Sequence, residues 1–179
     1  MDKKMKKMQI AVLGSHREDL ASEIRDLARA IGSLIAERGH ILLTGASAGI
    51  SAYATEGANE KRGVIIAISP RSGSQDEGEF TIDESAATAV VYTGMGYKGR
   101  NVLTVRSADC VIVINGGFGT LNEVAIAEGE GKPIFAMLGS GGCADALPKI
   151  FNDINSNYKK FVGVKNLAEL EIELGKVGF

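Results

Sequence analysis

In this 179-residue chain, Asn115-Gly116-Gly117-Phe118-Gly119-Thr120-Leu121-Asn122-Glu123 is the stretch whose residue types and spacing carry chemistry. The apolar run Cys110–Ile114 before it predicts a buried strand. Leu121, Val124 and Ala125 after it predict the inward face of a helix. Glycines at a helix start let a ligand approach the backbone closely and leave N–H groups free. The helix dipole there favours an anion by ~0.3–1 kcal/mol, up to ~2. A phosphate is the natural occupant of Gly116, Gly117, Gly119 and Thr120. Glu123 and Arg100, each near the start of a predicted helix, add a second chemistry. A carboxylate beside a bound ligand can stabilise a developing cation or activate water. An arginine can hold a phosphate bidentately. Thr120 to Glu123 also has the spacing of a capping box, Thr at N-cap and Glu at N3, and one glutamate can serve both purposes.

The other glycines support the same edge of the fold. Of the chain's 23, many fall in loops directly after predicted strands: Gly14; Gly45 and Gly49; Gly94, Gly96 and Gly99; Gly139, Gly141 and Gly142. In an open α/β sheet these strand ends form the ligand-binding rim. Ser15, Asn101, Gly14, Gly45 and Gly49 are therefore placed with the 116–120 loop as phosphate- or nucleotide-binding residues. Familiar nucleotide motifs are missing. The first strand ends in Gly14-Ser15-His16-Arg17-Glu18, without the second and third glycines of a dinucleotide fingerprint. Gly131-Lys132 is followed by Pro133 where a P-loop needs Ser or Thr, which excludes an NTPase of that type.

The Asn115–Glu123 stretch resembles the P-G-G-x-G-T-x-x-E motif of the LONELY GUY family, the cytokinin riboside 5′-monophosphate phosphoribohydrolases. It is equally similar to the related molybdenum cofactor carrier proteins, a superfamily often labelled lysine decarboxylase. The resemblance extends from about Ile10 to Leu138. It implies a Rossmann-like fold, a homo-oligomer (dimer or tetramer), and a small phosphorylated ligand, a nucleoside monophosphate or a pterin. It also implies hydrolysis of the N-glycosidic bond to base and ribose 5-phosphate, with Glu123 and Arg100 as catalytic residues. The alternative it carries is a non-catalytic carrier. Asn115 replaces the proline of the hydrolase motif, and Asn122 the first of its paired glutamates. The Met-His-Glu-Arg-Lys segment becomes Met95-Gly96-Tyr97-Lys98-Gly99-Arg100-Asn101, the form closer to the carriers. No lysine is marked for a Schiff base, so the decarboxylase label gains nothing.

The elements that must position these residues follow from apolar periodicity. Strands are predicted at Gln9–Gly14, Ile41–Thr44, Val64–Ser69, Ala89–Thr93, Cys110–Ile114 and Ile134–Leu138. All are apolar throughout, as strands buried on both faces are. Leu20, Ile24, Leu27, Ala28, Ile31, Leu34 and Ile35 mark one face of a helix, and a second runs from about Ile50 to Lys61. Strand–helix alternation predicts a single α/β domain over 1–179: a doubly wound parallel sheet in three α/β/α layers. Phe161–Val164 is read as an edge strand, and Asn166–Leu174 as a closing helix capped by Asn166 with Glu169 at N3. The acidic segment Pro70–Ala87 is read as a flap. Residues 1–8, with Lys3, Lys4, Lys6 and Lys7, are read as a solvated basic tail.

Composition bounds the partners. A net charge of −2 gives no general pull toward nucleic acid, and no run approaches the ~20 apolar residues of a membrane span. Cys110 and Cys143 lack metal-ligand spacing and are too few for a disulfide framework, so no metal and no further cofactor is expected. Cys110 is read as core, and the compartment as cytoplasmic.

Overall fold

A computed structural model describes residues 7–75 and 84–179. Seven parallel strands form one sheet: β1 (Gln9–Gly14), β2 (Ile41–Thr44), β3 (Val64–Ser69), β4 (Ala89–Tyr92), β5 (Cys110–Ile114), β6 (Ile134–Met137) and β7 (Phe161–Val164). Their spatial order is β4-β3-β2-β1-β5-β6-β7. The chain winds outward from β1 to β4, then returns to β1's other side and winds outward again. Strand order therefore reverses between β1 and β5, whose register runs from Ile10 beside Cys110 to Gly14 beside Ile114. In an open sheet the crevice above such a reversal is where ligands bind. This confirms the expected Rossmann-like doubly wound fold.

Among the described residues six α-helices cover the sheet: α1 (Ser22–Glu37), α2 (Ile50–Glu60), α3 (Gly96–Ser107), α4 (Phe118–Gly129), α5 (Gly142–Asn155) and α6 (Leu167–Gly175). Ile31 and Ile35 of α1, Ala54 of α2 and Leu170 of α6 pack on Ile10, Val12 and Ile112. Val105 of α3, Val124 of α4 and Leu147 of α5 pack on Ala11, Leu13 and Val113, on the opposite face. Alternate residues of β1 thus point to different layers, which is why an uninterrupted apolar run forms it. No described helix is long and apolar enough to cross a membrane.

Small residues bring α1 and α2 into contact. A Cβ on Gly32 would lie 1.9 Å from the Ala54 carbonyl oxygen, and one on Gly57 would lie 2.0 Å from that of Arg29. Gly32→Ala forces two backbones apart, and we expect a loss of about 2 kcal/mol despite alanine's better helix propensity. The denaturation midpoint in urea checks this, with Gly129→Ala as the control because open space surrounds its Cβ position.

Several readings need correction. β4 is not buried on both faces: Ala89 and Val91 are exposed, because β4 is an edge strand. Met8, counted with the tail, is buried in the core, and its N–H donates to His40 Nδ1 at 3.1 Å. His40 is correspondingly buried, and burial lowers its pKa. Lys3, Lys4 and Lys6 lie outside the described residues, as does the 76–83 centre of the presumed flap. The shoulders of that segment are held: Arg71 pairs with Glu84 at 2.9 Å, and Tyr92 Oη donates to the same carboxylate. Helix α5, with Pro148 in its interior, was not foreseen. Cys110 is core as expected, and burial pushes its thiol up to about 12.

Candidate functional site

A cavity of about 640 Å³ opens at the strand reversal. Gly14, Ser15, His16 and Arg17 wall it from the loop after β1, Ser47 from the loop after β2, and Tyr97, Lys98, Arg100 and Asn101 from α3. Asn115 to Thr120 and Glu123 close the remaining side, with Gly142 of α5. Nine of the sequence-derived candidates are thus brought together: Gly14, Ser15, Arg100, Asn101, Gly116, Gly117, Gly119, Thr120 and Glu123. Gly45 and Gly49 do not line it. Gly49, at φ +69, supports the wall from behind: a Cβ there would lie 2.2 Å from the Ser15 carbonyl oxygen. Gly45 lies against Arg100, and a Cβ would sit 2.2–2.4 Å from three guanidinium atoms. Gly142, read as part of the ligand-binding rim, does line the cavity, whereas Ser47, Arg17 and Lys98 were missed, because a lone polar or charged residue carries no spacing signal.

The turn after β5 is fixed by its neighbours. Asn115 adopts φ +54 and Gly116 φ +98. The Asn115 N–H donates to Ser140 Oγ at 2.7 Å, and its side-chain amide donates to the Ser140 carbonyl at 2.7 Å. The Cys143 N–H donates to the Gly116 carbonyl at 2.8 Å. Proline, locked near φ −65°, can adopt neither this backbone nor donate that bond, which explains why asparagine serves here.

The turn starts α4 three residues earlier than the capping-box reading requires. Gly117 is the N-cap, with no side-chain cap, and Phe118 is the first helical residue. Thr120 is therefore at N3, and its side chain packs under Gly116. Glu123 stands a full turn further on and caps nothing. The first bond of the helix is donated by the Leu121 N–H to the Gly117 carbonyl at 2.9 Å. The N–H groups of Phe118, Gly119 and Thr120 precede it and belong to the unsatisfied first turn. The α5 start contrasts: Asp145 accepts from the Gly139 and Gly141 N–H groups at 2.6 and 3.1 Å. That turn supplies its own anion; among the described residues none is seen at the α4 start.

Glu123 instead meets Arg100. Arg100 Nη1 donates to Glu123 Oε1 at 2.9 Å and to Asn101 Oδ1 at 3.0 Å, and both charged residues are buried. Asn101 Nδ2 donates on to Asn122 Oδ1 at 2.9 Å. Asn122, a departure from the hydrolase motif, thus ties α4 to α3. Arg100 Nε is buried without a partner. Burial pushes the Glu123 carboxyl up to about 7, against the opposing pull of Arg100. Among the described residues no group of three or more His, Cys, Asp or Glu is placed to hold a metal.

Residues 7–170 match the SLOG cluster4 family. An uncharacterized protein of Archaeoglobus fulgidus is 38% identical over 133 residues, 74% of this chain and 82% of its own. Among solved structures, the molybdenum cofactor binding protein of Rippkaea orientalis is 31% identical with a TM-score of 0.79, over 96% of this chain and 97% of that one. The molybdenum cofactor carrier protein of Chlamydomonas reinhardtii is 26% identical with a TM-score of 0.78, over 96% and 98%. The cavity at the β1–β5 reversal, the open first turn of α4 and the extent of these matches agree: the chain belongs to the SLOG cluster4 family, within the LONELY GUY and molybdenum cofactor carrier superfamily.

Proposed function

We propose that this protein binds a small phosphorylated heterocycle, a nucleoside monophosphate or phosphopterin, and holds it intact as a carrier. The observation that carries the reading is the free first turn of α4 opening onto a 640 Å³ cavity lined by Arg17, Lys98 and Arg100. Backbone N–H groups at a helix start take a phosphate, and the cationic lining favours its charge. Glu123 is the sole carboxylate among the described lining residues, and it is tied to Arg100. Glycoside hydrolysis ordinarily divides leaving-group protonation and cation stabilisation between two carboxylates. The likeness to molybdenum cofactor binding and carrier proteins over nearly the whole chain supports the same choice.

Hydrolysis is the second reading, favoured by one observation. A carboxyl raised to about 7 beside an arginine is poised to exchange a proton near neutral pH. Incubation with AMP, GMP and isopentenyl-adenosine monophosphate separates the two, with chromatography for free base and equilibrium dialysis for binding. The carrier reading expects retained nucleotide and no base. Catalytic release of base, abolished in Glu123→Gln, would give the protein to the hydrolases.

A further inference from the structure

Arg100 is divided between two demands. Its Nη1 serves Glu123 and Asn101, while its Nε is buried with no acceptor, and the residue lines the cavity beside the open turn of α4. The guanidinium cannot retreat by losing its proton, and Gly45 leaves it a close-fitting berth. Glu123 is as confined: it is buried and lines the same cavity from α4.

We propose that the site takes up a proton with its ligand: Glu123 is a carboxylate before binding and a carboxylic acid once a phosphate dianion sits at the α4 turn. The inference rests on the phosphate-binding reading above. A dianion entering beside a buried carboxylate places like charges together in a poorly screened space, and the ligand's oxygens also compete for Arg100. The carboxylate can relieve both effects by protonation, because burial already holds it near neutrality in the unliganded protein.

The groups around Glu123 leave it as the acceptor. Arg100 meets it from α3 and Cys143 lies near it on α5; His16, Arg17, Tyr97 and Lys98 line the same cavity. Cys143 is pushed up to about 11 by burial and by Glu123, so it stays a neutral thiol. Cys110 of β5 packs on the other face of the sheet. His16 is the group to be distinguished experimentally.

The test is AMP binding by calorimetry from pH 7.5 to 9 at constant ionic strength, in buffers of different ionisation heat. AMP is a dianion throughout that range, its second pKa being about 6. The wild type is expected to lose affinity by close to ten-fold per pH unit and to absorb nearly one proton per AMP bound. Glu123→Gln, which mimics the protonated acid, is expected to bind with no slope and more tightly than wild type at pH 9. His16→Asn is expected to keep the slope whatever its absolute affinity. AMP binding without proton uptake, or a slope that survives in Glu123→Gln or disappears in His16→Asn, overturns the proposal and leaves the binding reading standing. No binding of AMP, GMP or inorganic phosphate at any pH overturns both.

Discussion

Gly119→Val is expected to weaken AMP binding by at least about 100-fold while leaving the fold intact, since the variant fills the space a phosphate needs rather than space the protein uses. Beyond its own turn of α4, no described atom lies within 4 Å of a Cβ built on Gly119, and its φ is not in the left-handed region. The valine Cβ therefore enters open space in the unliganded protein. It does stand at the second position of α4, beside the N–H groups that open onto the cavity. Gly142→Ala is the contrasting variant. Its φ is +58 and its Cβ would lie 2.3 Å from the Gly116 carbonyl, so it must damage the loop itself. Binding by calorimetry beside a melting curve reads both properties. A Gly119→Val protein that melts as wild type and still binds AMP would show that the ligand lies elsewhere.

Gly45→Ala is expected to destabilise the protein by about 3–5 kcal/mol at pH 8, the range for breaking a buried ion pair, although Gly45 touches neither cavity nor ligand. The methyl group would lie 2.2–2.4 Å from the Arg100 guanidinium, the movable end of a long side chain, so Arg100 is displaced first. Glu123 then loses the partner at 2.9 Å that offsets its burial. The sign with pH follows from Glu123. Its carboxyl is raised from the ordinary 4.5 to about 7 in the fold, so its contribution is fully present below about pH 4.5 and lost as pH rises through about 7. Without Arg100 the folded pKa climbs further, and the cost of Gly45→Ala grows from pH 5 to pH 8. Urea denaturation at the two pH values checks this. An equal loss at both would mean that the methyl group strains the backbone instead of evicting Arg100.

The contrast between these glycines shows what the sequence made legible. Strands β1, β2, β3, β5 and β6 were readable because burial on both faces demands unbroken apolar runs. The β1–β5 crevice followed from the topology such runs impose. Asn166 was readable as a cap, and its Oδ1 accepts the Glu169 N–H at 2.9 Å. The same rule misled at Thr120, because the backbone of Gly116 and Gly117 turns into the helix earlier than a side-chain cap would. Helix α5 stayed hidden behind Pro148, which ordinarily ends a helix. Gly45 was assigned to the phosphate, whereas it makes room for Arg100. Spacing along the chain says that a glycine is needed at a strand end; only packing says against what.

The most direct test of the central claim is a crystal structure with AMP bound. The account predicts the phosphate against the N–H groups of Gly117 to Thr120, within reach of Arg100, with the nucleoside in the cavity between Tyr97 and the Gly14–Arg17 loop. A phosphate bound elsewhere, with the first turn of α4 closed by the protein's own side chains, would contradict it.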